Sequence, residues 1–255
     1  MLKRTLVTIT AAVVMMFGSS SVATAAEATA SGSVDWLTTY VWRGMNLGGN
    51  EGVIQPSATI VYDGHYSFNL WSNYDNERGE MTETDYTASY VRELGPIGLT
   101  LGFIHYGIDD GDVDYDSQEV YVTLSASKLP LAPTLSYYHD IDLGEGGYAS
   151  LAISQSFELT SKLSFGLGAL AGFNFGNALM ETDYDGDGEV DDFSGLYNGE
   201  VSANLPYKVN DKVTITPKVA YSFPLGEDAG RAIRALSFDG DRQVVYGGIN
   251  ISIGL

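Results

Sequence analysis

The stretch Val245-Tyr246-Gly247-Gly248-Ile249-Asn250-Ile251-Ser252-Ile253-Gly254-Leu255 alternates without a break. Val245, Gly247, Ile249, Ile251, Ile253 and Leu255 share one parity, and Tyr246, Gly248, Asn250, Ser252 and Gly254 share the other. Successive side chains of a strand point to opposite faces, so this is a strand with one oily and one wet face. Its length is that of a tilted strand crossing a bilayer, about 9–11 residues. The alternation recurs upstream. Leu163, Phe165, Leu167, Ala169, Ala171 and Phe173 oppose Ser164, Gly166, Gly168, Leu170 and Gly172, and Val120, Val122, Leu124 and Ala126 oppose Glu119, Tyr121, Thr123 and Ser125.

Extended along the chain, this periodicity predicts strands near 33-43, 54-62, 66-75, 83-93, 99-108, 117-126, 133-142, 147-157, 163-173, 195-204, 213-223 and 243-255. The connections after even strands are the shorter, such as Asp63-Gly64-His65 and Leu94-Gly95-Pro96-Ile97-Gly98. Those after odd strands are mostly longer and several are acidic: 44-53, 76-82, 109-116, 143-146, 174-194 and 224-242. Even strand number and loop asymmetry together predict an all-β fold, a transmembrane up-and-down antiparallel β-barrel of about twelve strands. A soluble β-sandwich also alternates, but would not produce both features.

Composition agrees. The 255 residues carry 13 Lys and Arg against 33 Asp and Glu, a net charge of −20, with 44% hydrophobic residues and no cysteine. That much apolar material excludes an acidic disordered chain, and the absence of cysteine excludes disulfides and thiolate metal sites. The charge argues against nucleic acid as a partner. Residues 1-26 have the form of a cleavable secretory signal peptide: Lys3 and Arg4, an apolar run from Thr5 to Phe17, then Ala23-Thr24-Ala25 as the cleavage site. Residues 27-255 are then the barrel. Beyond Glu27 no run of about 18 apolar residues is left to form a membrane helix. An exported, cysteine-free, acidic barrel belongs in the outer membrane of a Gram-negative bacterium, among lipid and lipopolysaccharide, with monomer as the default state.

Trp36, Tyr40, Trp42, Tyr62, Tyr66, Tyr74, Tyr86, Tyr90, Tyr137, Tyr197 and Tyr221 fall on the apolar parity, many near strand ends, as a membrane-interface girdle requires. The opposite parity gathers the expected lumen residues Asp35, Arg43, Gln55, Asn69, Trp71, Asn73, Asp85, Glu119, Tyr121, Asp140, Asn198, Glu200 and Lys218. Of these we single out Asp35, Arg43, Trp71, Asn73, Asp85, Glu119, Asp140, Glu200 and Lys218 as pore-lining. Buried charges need water or a partner. Asp35 and Arg43, eight residues apart on one predicted strand, are too distant to pair, so each needs a partner from another strand. Small residues on the ninth strand (Ser164, Gly166, Gly168, Gly172) are expected to leave space for a narrow pore, whose acidic lining favours cations or neutral polar solutes. The same residues could instead brace a filled, non-conducting barrel.

The segment Ser33-Val34-Asp35-Trp36-Leu37-Thr38-Thr39-Tyr40-Val41-Trp42-Arg43-Gly44, followed by Gln55-Pro56 and Leu70-Trp71-Ser72-Asn73, resembles the start of the TorF-like group of porin-type outer-membrane proteins of Gram-negative bacteria. The resemblance covers roughly residues 32-75. It implies an outer-membrane channel and supplies no catalytic residue.

Two loops carry further signals. Asp183, Asp185, Asp187 and Asp191 occupy positions 1, 3, 5 and 9 of a calcium-loop pattern, with Gly188 at position 6 and Glu189 able to offer its carbonyl. Position 12 is Ser194 rather than the bidentate Glu, so calcium binding and a plain solvated acidic loop both stand; no other cofactor is implied. In 226-242, residues Ala229 to Leu236 can form two helical turns with Arg231 and Arg234 on one face, turned either into the lumen or outward to lipopolysaccharide phosphate. Enzyme chemistry finds little support. The histidines are His65, His105 and His139, there is no Gly-x-Ser-x-Gly or phosphate loop, and His139 and Asp140 point to opposite faces of their strand.

Overall fold

The structure is a computed structural model, described here for residues 27–109, 115–183 and 190–255. Twelve long strands form the wall: β1 (Ala28–Leu37), β4 (Val53–Tyr62), β5 (Tyr66–Asp75), β6 (Glu80–Leu94), β7 (Ile97–Ile108), β8 (Ser117–Ser125), β9 (Thr134–Asp140), β10 (Gly147–Glu158), β11 (Ser164–Phe175), β12 (Ser194–Asn204), β14 (Val213–Pro224) and β15 (Val244–Gly254). Each pairs antiparallel with its sequence neighbours, β12 with β14 and β15 with β1, so the sheet closes on itself without an edge. Three short pieces, β2 (Val41–Trp42), β3 (Met45–Asn46) and β13 (Tyr207–Lys208), lie outside this count, as do the helix α1 (Glu227–Leu236) and a 3-10 turn at Ala178–Met180.

The parity inferred from sequence holds for most of the wall. Outward positions are apolar and exposed, among them Trp36, Ile54, Ile60, Tyr62, Tyr66, Phe68, Leu70, Tyr86, Leu101, Phe103, Leu151, Val201, Ile249 and Ile251. Inward positions hold polar side chains, and near the long-loop end these are buried: Gln55, Asn73, Glu83, Glu119, Asp140, Asn174, Asn198 and Ser222. That inversion of an ordinary soluble protein is the signature of a barrel whose surroundings are apolar. Among the described residues no helix is long and apolar enough to cross a membrane.

The first wall strand departs from its predicted span of 33-43. It begins by Ala28 and ends at Leu37, and residues 38–52 turn into the barrel mouth as the β2–β3 hairpin. Arg43 (φ 48°) and Gly44 (φ 93°) form its tip, in backbone conformations that an extended strand does not visit. Tyr40 and Trp42 therefore leave the outer girdle: Tyr40 packs on Trp71 with ring centroids 5.4 Å apart, and Trp42 on Tyr106 at 6.2 Å. Tyr197 also leaves it. The β11–β12 register slips between Ala171↔Gly199 and Phe173↔Leu196, so β12 carries one extra residue and Tyr197 turns inward, fully buried, while Leu196 points out.

Candidate functional site

The long-loop end of the lumen is filled. Met45 of the hairpin, Met180, Tyr148, Tyr197 and the buried face of α1 (Ala229, Ala232, Ile233) form one apolar cluster, flanked by Trp42, Leu47, Tyr138, Phe193 and Leu236. The helix forms where the sequence predicts, two residues longer at its start. Glu227 and Asp228 in its first turn and Arg234 in its last complement the helix dipole. Ala229, Ala232 and Ile233 face the cluster, and Arg231 and Arg234 are exposed. Hairpin and helix are stitched together: Phe238 N–H donates to the Asn46 carbonyl (2.7 Å), Asn46 N–H to Ser237 Oγ (3.0 Å) and Asn46 Nδ2 to Asp239 Oδ2 (2.7 Å).

Arg43 fixes the hairpin tip across the lumen. Its Nη2 lies 2.6 Å from Glu119 Oε2 on β8, and Tyr106 Oη donates to the same oxygen at 2.8 Å. The guanidinium sits 4.4, 5.1 and 4.5 Å from the ring centroids of Trp42, Tyr138 and Tyr148. A planar, weakly hydrated cation between aromatic faces and a carboxylate is the environment to which arginine is best suited. Asp35, the other charge that required a partner, meets Lys218 of β14 at 2.6 Å and accepts from Asn250 Nδ2 at 2.9 Å.

Between the plug and that second ion pair is a cavity of about 410 Å³. Of the nine residues singled out as pore-lining, Arg43, Trp71, Asp85 and Glu200 line it. Asn73, Glu119 and Asp140 are consumed in the packed end. Asn73 bonds Gln55 and Thr82, and Asp140 accepts from Ser117 Oγ and from the N–H groups of Asp142 and Gly144. The cavity wall also includes Trp42, Tyr106, Tyr138 and Tyr148, which the sequence reading did not select. Parity alone could have found three of them, since Tyr106, Tyr138 and Tyr148 share the inward face with Ile104, Asp140 and Ser150 of their own strands. Nor do the glycines of β11 leave free space. A Cβ on Gly172 would lie 2.3 Å from Tyr148 Oη, and one on Gly166 would lie 2.4 Å from Asn204 Oδ1, so neighbouring side chains already lean over them.

Toward the short-turn end the inward side chains become small and hydroxylated. A second cavity of about 220 Å³ is lined by Ser31, Gly32, Ser33, Ser57, Thr59, Asn250 and Ser252.

The remaining sequence candidates lie elsewhere. Asp185, Asp187 and Glu189 of the acidic loop fall outside the described residues; Asp183 and Asp191 stand at its two ends, beside the Thr182–Asp191 bridge. Among the described residues no group of three or more His, Asp or Glu is placed to hold a metal. His65 caps a short turn through Val91, His105 lies 3.7 Å from Asp116 on the rim, and His139 packs on Tyr137.

No family model and no curated protein matches the chain. Solved structures do. A membrane protein solved in a study of in-meso crystallisation aligns with 89% of this chain and 84% of its own, at 7% identity and a TM-score of 0.52. The NanC porin aligns with 89% of this chain and 98% of its own at 12% identity and a TM-score of 0.47. The chain has the fold of an outer-membrane barrel. The outer membrane protein OpdK of Pseudomonas aeruginosa is also similar, at 15% identity and a TM-score of 0.37 over 89% of this chain and 66% of its own. At such identities the likeness concerns architecture, and whatever this barrel passes or binds must be argued from its own lumen.

Proposed function

We propose that this protein is a porin-type channel of the Gram-negative outer membrane, exported by the signal peptide at 1-26, that passes small polar or cationic solutes through a narrow acidic lumen. It takes its place with the TorF-like group on the residues between 32 and 75. The observation that carries the proposal is the mid-barrel cavity with Asp85 and Glu200 in its wall, where the one cation among the described lining residues, Arg43, is already held by Glu119. The free charge that a passing solute meets is therefore negative, and such a lining selects for cations. The short-turn end faces the periplasm and the plugged end faces outward, as in barrels of this type.

The test is single-channel recording of the refolded mature chain in a planar bilayer under a salt gradient. Discrete steps with a cation-selective reversal potential are expected, and Asp85→Asn with Glu200→Gln should move that potential toward zero. A correctly folded barrel that stays silent would remove the channel function.

A further inference from the structure

We infer that the cavity beneath the plug is a saturable binding site for a small organic cation, an ammonium group on an apolar or hydroxylated body. The inference deepens the channel proposal and rests on it for the solute's route to the cavity.

Three features of the wall support this. Its volume, about 410 Å³, falls in the range of roughly 300–1,000 Å³ typical of small-molecule sites. Its aromatic content is high, with Trp71, Tyr106, Tyr138 and Tyr148 contributing from four different strands. Its anionic groups are incompletely used. The Asp85 carboxyl hydrogen-bonds that of Glu83, yet its Oδ1 is buried with no hydrogen-bond partner among the described residues. Glu200 has one oxygen occupied, accepting from Tyr246 Oη at 2.8 Å. A carboxylate oxygen withdrawn from water without a donor is costly, and a bound hydroxylated organic cation such as choline would supply the missing charge through its ammonium group and a donor through its hydroxyl.

Arg43 shows that these walls suit such a ligand. In the same cavity wall a tethered organic cation already lies among three rings and one carboxylate. The ammonium of a free solute against Asp85, its body on Trp71, repeats that arrangement with different partners. A neutral sugar would satisfy the rings and leave the charge uncompensated. An anion would meet Asp85 and Glu200 with no free cation among the described lining residues to receive it.

The experiment titrates choline into the full refolded mature chain in detergent micelles, following heat and the fluorescence of the wall tryptophans. Sodium chloride at equal ionic strength and glucose are the controls. Saturable one-to-one binding of choline, absent for sodium and glucose and weakened tenfold or more in Asp85→Asn, is expected. Glu200→Gln, expected to weaken binding less, provides a second reading if Asp85→Asn fails to fold. Equal responses to choline and sodium, binding of glucose as tight as that of choline, or choline binding unchanged in both folded variants would each overturn the inference. Conductance recorded on the same preparation separates the two proposals. A conducting barrel without saturable choline binding removes the site and keeps the channel. A silent barrel that binds choline keeps the site and removes the channel.

Discussion

Arg43 illustrates how far single residues can be read. That a charge on the inward parity needs a partner from elsewhere follows from sequence spacing and electrostatics, and both Arg43 and Asp35 have one. The identity of those partners was not legible, because Glu119 and Lys218 reach them through barrel closure and hairpin geometry, which no local pattern encodes. The pairing predicts a specific non-additivity. Arg43→Ala leaves Glu119, whose side chain is 1% exposed, buried without its cation, and should cost about 3–5 kcal/mol. Arg43→Met with Glu119→Leu removes both charges and should cost less than Arg43→Ala alone. Urea unfolding in detergent of the parent, Arg43→Ala, Arg43→Met, Glu119→Leu and the double variant measures these values, and additive losses of the Met and Leu singles in the double would show that the pair is not coupled. One position away, Gly44 adopts φ 93°, and a Cβ there would meet the Asn198 Cβ at 2.7 Å. Gly44→Ala should therefore destabilise by about 1–3 kcal/mol through strain at the hairpin tip, visible in the same unfolding series.

At the scale of elements, the sequence told more about what forms than about where it goes. The helix was legible over Ala229–Leu236, with Arg231 and Arg234 on one face, whereas its destination was not: Arg231 and Arg234 turn outward and the buried face of Glu227–Leu236 closes the mouth. The β2–β3 hairpin was misread because Tyr40 and Trp42 continue the alternation of β1, and period two does not distinguish a longer strand from a strand followed by an inward hairpin. Tyr197 was misread for a related reason, since one bulge residue on β12 reverses every parity assignment beyond it. The packing of helix on hairpin predicts the behaviour of the mouth. Ile233→Asp places a carboxylate in the apolar cluster, so the helix should detach, trypsin should cut at Arg231 or Arg234 faster than in the parent, and open time in bilayer recordings should rise. Arg231→Ala combined with Arg234→Ala touches only the exposed face and should change stability by no more than about 0.5 kcal/mol and leave conductance steps unaltered. If the paired arginine variant opens the channel and Ile233→Asp does not, the helix is not held by its buried face.

For the whole molecule, what the sequence made legible was the closed barrel: twelve wall strands, short turns at one end and long loops at the other. The reason is physical. A barrel in lipid must alternate on every strand because one face meets hydrocarbon and the other meets the lumen, so each strand repeats the same message and errors in one are outvoted by the rest. The filling of the lumen has no such redundancy, which is why the barrel could be inferred and the plug could not. The two faces can be told apart on one strand. Leu151, 54% exposed in the middle of β10 and flanked by Leu135 and Ala171 on the neighbouring strands, faces outward; Ser154, opposite Gly168, faces the small-residue half of the lumen. Leu151→Arg should cost about 2–4 kcal/mol of folding in a bilayer, because the guanidinium must be placed near the hydrocarbon midplane. Ser154→Arg should cost far less, because its side chain extends into the small-residue, hydroxyl-lined end of the lumen, and it should shift the reversal potential of the channel toward anions. Folding yield into vesicles, read by heat-resistant mobility on gels, measures the first difference and bilayer recording the second. Equal folding losses for the two variants would mean that both faces of β10 meet the same surroundings, which a barrel spanning a membrane does not allow.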